Sequence, residues 1–490
     1  MKITELIKSL DTFNNHSNLI EDFQVRGISC NSKQVSDDFI FVAIKGTRED
    51  GNRFIAEAIE NGARAIILEK SRTQELQNSG NVTFIRVKDT RLALAKLAVL
   101  FFGNPSSKIK VIGITGTNGK TTVSYLMEAL LKEAKADISV IGTINYRFKD
   151  KIIQSKNTTP GPIELQSMLA QMQKEGITHC LMEVSSHALD QDRTEGIDFH
   201  SAVFTNLTQD HLDYHKTLEE YFQAKAKLFK NINPDSFAVI NNDDRYGLRL
   251  KKLTKAKIIT YGIENKADVT AMDIRFDSLY TEFQLAIPEG KVRFRSRLIG
   301  RHNVYNLLAT AAWALKCGID ISIIKSSLEG FYFVPGRLER IDFAGDFSIF
   351  VDYAHTEDAL KNAIETLKYL YKKRIIVVFG CGGERDKTKR PKMGRTVSEL
   401  SDYAIITNDN PRSEDPDEII KDIKRGIRKN NYCVIPERRE AIKKSLSLAK
   451  TGDIVLVAGK GHENYQIMKD RVIHFDDREV IRECLKLLNY

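Results

Sequence analysis

The chain has 490 residues and a formal net charge of +9, with 42% hydrophobic and 28% charged residues. This length predicts about three domains, the composition is typical of globular proteins in water, and the absence of an apolar run of about 18 residues argues against a membrane span. The basic residues alternate with acidic ones, which favours pockets for small polyanions over a nucleic-acid surface.

The N-terminal stretch and the cysteines predict a cytoplasmic location. The start, "MKITELIKSLDTF", lacks the apolar segment of a secretory signal. The six cysteines are scattered without a C-x-x-C pair. Their spacing argues against a disulfide or zinc framework and fits a reducing compartment.

Residues 1–107 are predicted to form a small α/β domain. "FIFVAIKG" and "RAIILEK" are typical of strands, and "NRFIAEAIENGA" between them is typical of a helix. The domain is expected to end near "FFGNPSSKIK", where Gly103, Asn104 and Pro105 interrupt regular structure.

Residues 108–335 are predicted to form a second, doubly wound α/β domain. The runs "KVIGIT", "THCLMEVS", "SAVFTNL" and "SFAVINND" are typical of buried parallel strands, and helical stretches separate them. Apolar residues recur at helical spacing after Lys120, at Val123, Leu126, Met127, Leu130 and Leu131.

Residues 336–490 are predicted to form a third domain, which starts near "VPGRLER". Four more runs are typical of strands: "FSIFVDYA", "RIIVVFGCGG", "YAIITNDN" and "DIVLVAGKG". Polar residues follow each run. In open α/β sheets, ligands bind beyond the carboxyl ends of the strands.

The stretch "VIGITGTNGKTTVSYLMEALL", residues 111–131, has the pattern of a phosphate-binding loop between a strand and a helix. Gly116 and Gly119 would let backbone N–H groups face phosphate oxygens, Lys120 would reach the outer phosphates and Thr121 would bind Mg²⁺. Ile114 stands where the usual loop has its first glycine. The alternative is a plain glycine turn with a surface lysine, against which the flanking strand and helix argue.

An acid and a histidine follow two neighbouring predicted strands. Glu183 ends "THCLME" and His211 lies in "TNLTQDHLDYH". Together they could complete a metal site, but Mg²⁺ prefers oxygen ligands, so His211 is equally explained as a hydrogen-bonded loop residue. His187 and His215 are interpreted as structural.

The segment "YFQAKAKLF" is predicted to be an amphipathic helix. On its pattern alone, Lys225 and Lys227 are two lysines on a solvated face.

Ten stretches in chain order resemble the Mur ligases, and among them those that add the third residue of the peptidoglycan stem peptide. They are "GTNGKTT", "EVSSHALDQDR", "TNLTQDHLDYH", "YFQAKAKLF", "GRHNVYNLLATAA", "PGRLER", "VDYAHTEDAL", "GCGGERDKTKRP", "NDNPRSEDP" and "AGKGHE". Each is weak or moderate alone, and the ordered set is specific.

The resemblance implies an α/β protein of three domains: an N-terminal one for the UDP end of the substrate, a central ATPase-like one and a C-terminal Rossmann-like one for the incoming amino acid. It implies that ATP phosphorylates the D-Glu γ-carboxylate of UDP-MurNAc-L-Ala-D-Glu, after which an amine attacks the acyl phosphate. ADP, phosphate and a new amide result. A monomer without nucleic-acid or membrane partners is expected.

Roles for individual residues are implied by the same motifs. The nucleotide set is Gly116, Thr117, Asn118, Gly119, Lys120, Thr121, Thr122, Asn303, Asn306, Arg337, Asp352 and His355. The metal set is Thr121, Glu183, His211 and Lys225, with Lys225 carbamylated by CO₂ so that it can bind Mg²⁺; Lys120, Lys225 and His211 are the catalytic set. The UDP-sugar dipeptide set is Cys30, Ser32, Thr47, Arg48, Glu49, Asn157, Thr158, Thr159, Ser185, Gln191 and Arg193.

The stretch "DNPR" bears on which amino acid is added. meso-Diaminopimelate has a second carboxylate that lysine lacks, and a planar guanidinium such as Arg412 can hold a carboxylate through two hydrogen bonds. The resemblance agrees, since lysine-adding members tend to lack this arginine. The diaminopimelate set is Arg385, Asp409, Asn410, Pro411, Arg412, Gly459 and Glu463, with Glu463 suited to the distal ammonium. The alternative for Arg412 alone is a surface ion pair.

Three departures from the family pattern leave the neighbouring functional residues in place. Asn31-Ser32-Lys33 stands where "DSR" is frequent, Glu357 follows "YAHT" in place of proline, and Glu384 replaces an aspartate. The alternatives are a lysine-adding or MurF-like ligase, a folylpolyglutamate synthase, and a nucleotide-binding module without ligase activity; a nucleic-acid binder comes last.

Overall fold

The structure is a computed structural model that describes residues 1–12, 22–46, 49–69, 82–277 and 280–488. The chain forms two compact units. Unit 1 comprises Met1–Gly113, Ala136–Ser201 and Asn231–Ser236, and unit 2 comprises Ile114–Lys135, Ala202–Lys230 and Phe237–Tyr490. Strands β5 (Lys110–Thr115) and β10 (Phe199–Phe204) contribute residues to both units.

Unit 1 begins with a four-stranded parallel sheet in the order β1-β2-β3-β4. Alternate side chains of β2 enter separate clusters on the two faces: Ile40 and Val42 on one, Phe41 on the other. Because both faces are buried, the strands are almost wholly apolar. Elements of this part are α1 (Ile3–Ile7), β1 (Gly27–Ser29), β2 (Phe39–Val42), α2 (Ile55–Glu60), β3 (Ala63–Glu69), β4 (Thr83–Val87) and α3 (Thr90–Phe101).

The rest of unit 1 is a second sheet portion in the order β5-β9-β6-β7-β8. Strands β6 and β9 are parallel, whereas β6-β7-β8 form an antiparallel meander whose last strand is exposed along its length. Its elements are β6 (Ile138–Ile141), β7 (Asn145–Phe148), β8 (Lys151–Gln154), α5 (Pro162–Lys174), β9 (His179–Glu183) and α6 (Ser186–Asp190).

Unit 2 contains the phosphate-loop helix and a sheet portion in the order β15-β14-β13-β12-β11-β10. Strands β11, β12 and β13 are parallel, and β13-β14-β15 are antiparallel. Its elements are α4 (Lys120–Glu133), α7 (Leu212–His215), α8 (Leu218–Asn231), β11 (Phe237–Asn241), α9 (Arg245–Leu253), β12 (Lys257–Gly262), β13 (Val269–Phe276), β14 (Thr281–Ile287), β15 (Gly290–Ser296), α10 (Arg301–Lys316) and α11 (Ile321–Gly330).

The C-terminal part of unit 2 is a six-stranded sheet in the order β16-β17-β21-β18-β19-β20, parallel except for β16. Apolar clusters cover both faces, so each central strand is buried. Its elements are β16 (Glu339–Ile341), β17 (Ser348–Asp352), α12 (Glu357–Tyr371), β18 (Ile375–Phe379), α13 (Lys389–Leu400), β19 (Tyr403–Ile406), α14 (Pro416–Lys424), β20 (Tyr432–Val434), α15 (Arg438–Leu448), β21 (Ile454–Ala458), β22 (Tyr465–Ile467), β23 (Val472–His474) and α16 (Asp477–Leu487).

The α/β fold class predicted from the sequence is confirmed, and the runs predicted as buried strands form β5, β9, β10, β11, β17, β18, β19 and β21. The helix predicted around residues 52–63 is shorter, because its first residues, Gly51–Phe54, form a 3₁₀ turn. The antiparallel strands β7-β8 and β13-β14-β15 were not predicted. Within the described ranges, no helix is long and apolar enough to cross a membrane. The predicted boundaries after residues 107 and 335 stay predictions.

Candidate active site

The phosphate loop connects the end of β5 to the start of α4. Gly116 and Gly119 adopt positive φ angles of 152° and 87°. A Cβ on Gly116 would lie 1.8 Å from Thr205 Oγ1, and one on Gly119 would lie 2.5 Å from Asn306 Oδ1. Gly119 is the N-cap of α4 and supplies no side-chain cap. The positive end of the helix dipole therefore faces this loop, as an anion site requires.

Hydrogen bonds from the segment after β10 hold the loop in shape. Thr117 N donates to Asn206 O at 2.8 Å, and Asn118 N donates to Asn206 Oδ1 at 3.0 Å. Thr205 Oγ1 donates to Asn118 O at 2.6 Å. The loop is thus rigid before any ligand arrives, which limits the entropy lost on binding.

Lys120 folds back over the loop. Its Nζ donates to Gly116 O and Thr117 O, each at 2.8 Å. Thr121, the next residue, is buried, and Arg337 Nη2 lies 3.5 Å from its hydroxyl. A glycine cradle, a helix N-terminus and an adjacent ammonium fit the phosphates of a nucleotide.

Gly116→Ala is expected to abolish nucleotide binding, because its Cβ would overlap Thr205 Oγ1 and displace the loop. Titration with a fluorescent ATP analogue would measure the loss. The control is Gly176→Ala, which has open space around the added Cβ and a positive φ of 78°. This control carries the same kind of backbone strain, so nucleotide binding lost in both variants would contradict the proposed role of the loop.

Lys225 is buried, which corrects the expectation from pattern alone. The residue lies on α8 with a relative exposure of 1%. Its Nζ donates to Gly116 O at 2.9 Å and lies 4.6 Å from the centre of the Tyr221 ring. Burial and the neighbouring Lys120 ammonium hold the pKa of Lys225 well below its usual value. The second lysine, Lys227, is half-buried.

The structure surrounds Asp210 with basic side chains that the sequence analysis did not connect. Its carboxylate lies 3.4 Å from His211 Nε2, 3.6 Å from His355 Nε2 and 3.4 Å from Lys389 Nζ. Burial alone would raise the pKa of Asp210, but His211, Lys389 and His355 lower it well below its usual value. In the sequence, Asp210 could have been singled out because it directly precedes His211 in "QDHLD". Nothing local identified Lys389.

Glu183 ends β9 in unit 1 and has a relative exposure of 1%. Its two carboxylate oxygens accept hydrogen bonds from Thr143 N at 3.1 Å and Thr143 Oγ1 at 2.8 Å. A Cβ on Gly142 would lie 2.5 Å from Glu183 Oε1. The carboxylate is therefore fixed by a glycine turn and a threonine that sequence reasoning did not single out.

The predicted metal set contains one carboxylate, one imidazole, one hydroxyl and one amine. Within the described parts of the chain, no group of three or more His, Cys, Asp and Glu residues has an arrangement that could hold a metal ion. Carboxylate and hydroxyl oxygens suit Mg²⁺. An amine does not, and Lys225 fits this set only after conversion to an anion.

The predicted dipeptide residues of unit 1 lie around the start of a loop before α5. Thr158 Oγ1 lies 3.1 Å from Thr143 Oγ1, and Thr159 Oγ1 donates to Glu183 O at 2.9 Å. The hydroxyl of Tyr146 donates to Asn157 O. Thr143 therefore contacts both this loop and Glu183, and Thr159 bonds to the Glu183 backbone directly.

Arg193 joins the same group. Its Nη1 donates to Thr159 O at 3.1 Å, and its Nη2 donates to Gln191 Oε1 at 2.7 Å. Ser185 N donates to Thr159 Oγ1 at 3.0 Å. The structure therefore brings together the predicted residues Asn157, Thr158, Thr159, Ser185, Gln191 and Arg193.

The N-terminal residues of the dipeptide set differ in exposure and in hydrogen-bond partners. Cys30 is exposed, whereas Ser32 is buried and its hydroxyl donates to Glu57 Oε2 at 2.5 Å. Glu49 accepts a hydrogen bond on its backbone oxygen from Gly46 N at 2.9 Å. Thr47 and Arg48 lie outside the described residues. Glu57 was missed by sequence reasoning.

Among the remaining nucleotide residues, Asn303, Asn306 and Asp352 are buried, whereas Arg337 and His355 are half-buried. Asn306 Nδ2 donates to Asn303 Oδ1 at 3.0 Å on α10. Asp352 accepts from Leu338 N at 2.6 Å and Ala354 N at 2.7 Å, and burial raises its pKa. The guanidinium of Arg337 lies 4.6 Å from the centre of the Tyr353 ring.

The predicted amino-acid residues meet beyond β19 and β21. Asn410 Nδ2 donates to Glu463 Oε2 at 3.0 Å. Arg412 has a φ of 54°, and its Nη1 donates to Gly383 O at 2.7 Å. Burial and the charge of Arg385 lower the pKa of Arg412. Two guanidiniums thus lie close enough to repel each other, a geometry suited to an anion.

Asp409 and Gly459, two further residues of the diaminopimelate set, lie next to each other. Gln466 Nε2 donates to Asp409 O at 2.6 Å. A Cβ on Gly459, which has a φ of 114°, would lie 2.6 Å from Asp409 Oδ2. Burial alone would raise the pKa of Asp409, but Lys460 and Arg438 hold it below its usual value. Pro411 is also buried.

A chain of side-chain contacts within unit 2 connects the histidines to this pocket. The Tyr353 ring lies 4.7 Å from that of His355, and its hydroxyl donates to Glu463 Oε1 at 3.3 Å. His355 in turn lies beside Asp210, the neighbour of His211. The arrangement can hold a phosphorylated group at one end and an amino acid at the other.

Three family models match the chain. They are described as the Mur ligase family catalytic domain, over residues 24–102, the Mur ligase middle domain, over 114–314, and the Mur ligase glutamate ligase domain, over 336–461. Together they follow the order of the predicted domains.

Individual proteins are also similar over nearly the whole length. A UDP-N-acetylmuramoyl-L-alanyl-D-glutamate–2,6-diaminopimelate ligase of Clostridium botulinum is 45% identical over 94% of this chain and 95% of its own. A solved structure with the same ligase name has 34% identity and a TM-score of 0.66, covering 95% of this chain and 96% of that one.

A more distant structure shares the fold. MurF ligase from Thermotoga maritima, solved in complex with ADP, has 22% identity and a TM-score of 0.62, with 96% of this chain and 98% of that one covered. These likenesses agree with the predicted α/β, three-domain fold class. On the family models and on full-length identity, the chain belongs to the Mur ligase family.

Proposed function

We propose that the enzyme ligates meso-2,6-diaminopimelate to the D-Glu γ-carboxylate of UDP-MurNAc-L-Ala-D-Glu at the expense of ATP, giving the tripeptide precursor of peptidoglycan. The observation that carries the proposal is the line of contacts in unit 2 from Asp210 through His355 and Tyr353 to Glu463. At one end, Asp210 interacts electrostatically with Lys225, which bonds to the phosphate loop. The other end lies in a pocket with both anion- and cation-binding groups. The ligase relatives add support.

In the first step, a carboxylate oxygen attacks the γ-phosphorus of ATP and the bond to ADP breaks. Lys120 neutralises charge on the transferring phosphoryl group, and the loop N–H groups hold the phosphates. Mg²⁺, when bound, would screen phosphate charge and polarise the phosphorus. Thr121, Glu183 and His211 are its proposed protein ligands.

Carbamylation of Lys225 is part of the proposal. A neutral amine can attack CO₂, form an N–C bond and lose a proton, which converts the side chain to an anion. Burial and Lys120 already disfavour the ammonium form of Lys225. The product would supply a second anionic oxygen ligand beside the Glu183 carboxylate.

In the second step, the amine of the amino acid attacks the acyl carbon, an amide bond forms, and phosphate leaves. Arg412 and Arg385 would hold the distal carboxylate of diaminopimelate, while Glu463 would hold its distal ammonium. L-Lysine lacks the carboxylate, so binding it would leave the half-buried Arg412 guanidinium without this partner, at a cost. The dipeptide would be held by Arg193 and the loop of Asn157 to Thr159.

Phosphate release tests the proposal. Purified protein with ATP, Mg²⁺ and UDP-MurNAc-L-Ala-D-Glu is expected to release phosphate with meso-diaminopimelate and to yield a product heavier by that residue. Release with L-lysine in its place would overturn the substrate and leave a ligase. If no phosphate were released with either amino acid, the ligase function would be contradicted.

A cytoplasmic monomer completes the proposal. The six cysteines form no disulfide with one another, which fits a reducing compartment. Light scattering after size exclusion would measure the mass, with 55.6 kDa expected for one chain.

A further inference from the structure

Lys460 is a buried cation that the proposed mechanism does not use. It follows β21 and has a relative exposure of 0%. Its Nζ donates to Asn410 Oδ1 and Glu463 Oε2, each at 3.2 Å. A buried ammonium persists only where it is paired and hydrogen-bonded. Both partners belong to the proposed amino-acid pocket.

The backbone on each side of Lys460 is fixed by close approach. Gly459 has a φ of 114° and Gly461 a φ of 53°. A Cβ would lie 2.6 Å from Asp409 Oδ2 at the first position and 2.7 Å from Tyr353 Cβ at the second. Two glycines in left-handed conformations therefore determine where the Lys460 side chain starts.

Glu463 receives hydrogen bonds from three separate segments of the sheet's edge. Lys460, after β21, and Asn410 Nδ2, after β19, donate to Oε2, while Tyr353 OH, after β17, donates to Oε1. The side chain of Glu463 nevertheless keeps 13% exposure. The carboxylate is thus immobile and still reachable, as a preformed site for an ammonium requires.

Lys460 also determines which way the Asn410 amide points. Asn410 Oδ1 accepts hydrogen bonds from Lys460 Nζ and from Ile467 N at 3.0 Å. Its Nδ2 is therefore the end that faces Glu463, and an amide nitrogen has a second N–H. That second donor suits a substrate carboxylate.

We propose that Lys460 is a positioning residue for the incoming amino acid: it holds Glu463 and Asn410 in the orientation that binds the amino acid's ammonium and carboxylate. Lys460 does not touch the substrate. Its contribution is made chiefly through Glu463, the partner of opposite charge, and the inference rests on the proposed function.

Lys460→Met tests the role, because methionine keeps a similar volume and removes the charge. The KM for meso-diaminopimelate is expected to rise by about tenfold or more, the usual effect of losing a hydrogen bond to a buried charged group. The KM for ATP and for the UDP-dipeptide should change by less than about twofold. Lys469→Met, an exposed lysine in the nearby β22–β23 turn, is the control.

A double-mutant cycle separates this role from a merely structural one. If Lys460 acts through Glu463, Lys460→Met should add little to the loss already caused by Glu463→Gln. Lys460→Gln, which keeps a donor without the charge, provides a second variant should the methionine variant fold poorly, and thermal melting identifies that case.

The possible outcomes distinguish a failure of the proposed role of Lys460 from a failure of the proposed ligase function. Unchanged KM for the amino acid in a folded variant, equal increases for all three substrates, or full additivity with Glu463→Gln would overturn the role of Lys460 while the ligase function stands. Absence of amino-acid-dependent phosphate release by the wild-type protein would overturn both.

Discussion

Lys225→Met is expected to lower kcat by about 10³-fold, the upper range for removing one group that stabilises charge in a transition state. Lys225 is buried beside Gly116 O, and its pKa is well below the usual value because of burial and Lys120. A lowered pKa increases the fraction of the neutral amine, which is the form that reacts with CO₂, near neutral pH, where an exposed lysine is almost wholly protonated. Methionine preserves the volume but cannot form the carbamate.

Phosphate release measures the loss, and ¹³C NMR of protein equilibrated with ¹³C-bicarbonate detects the carbamate directly. The wild-type spectrum should contain a carbamate signal that Lys225→Met lacks, and wild-type activity should fall when CO₂ is depleted. Lys230→Met, an exposed lysine on the same helix that bonds to Gln223, should retain both signal and activity. Full activity of Lys225→Met would exclude any catalytic role for this lysine.

The burial of Lys225 could have been predicted from the spacing of the apolar residues around it. The apolar residues Tyr221, Phe222, Leu228 and Phe229 are buried on α8. Lys225 lies three or four residues from each pair, so helical spacing places it on the apolar face. The prediction of a solvated Lys225 was wrong because it rested on the usual exposure of lysine and not on this spacing.

Parallel strands were predictable because both of their faces are buried. Runs such as Ile375–Phe379 and Ile454–Ala458 are continuously apolar, a pattern that survives without knowledge of the partners. The antiparallel strands contain both buried and exposed residues, as in Val269–Phe276. In the sequence, their polar residues resemble those of loops. Their pairing depends on residues distant in sequence.

The polar partners within the candidate site could not be predicted for the same reason. Asp210 and Lys389 form a buried pair 179 residues apart, and Lys460 reaches Asn410 across 50 residues. Motifs marked the segments in which these residues lie. Which side chain of a motif points inward is decided by tertiary packing, as at the two glycines around Lys460.

Arg412→Ala is expected to lower kcat/KM for meso-diaminopimelate by about 10³-fold, since a site built around a polar group of the substrate loses that much or more when the pair is broken. Arg412 already has a positive φ of 54°. Alanine would bear the same backbone strain, so the substitution removes the guanidinium without a new conformational cost. The KM for ATP should stay within about twofold of wild type.

A comparison of amino acids identifies what Arg412 recognises. With L-lysine, which has no distal carboxylate, the variant should lose little relative to wild type, so the preference for diaminopimelate should shrink. Arg412→Lys keeps the charge but not the paired geometry, and should fall between wild type and alanine. Arg471→Ala, an exposed arginine between β22 and β23, should behave as wild type. If Arg412→Ala weakened both amino acids equally, the arginine would serve the pocket's structure and not its selectivity, and the choice of diaminopimelate would have to come from Arg385, the other residue proposed for the distal carboxylate.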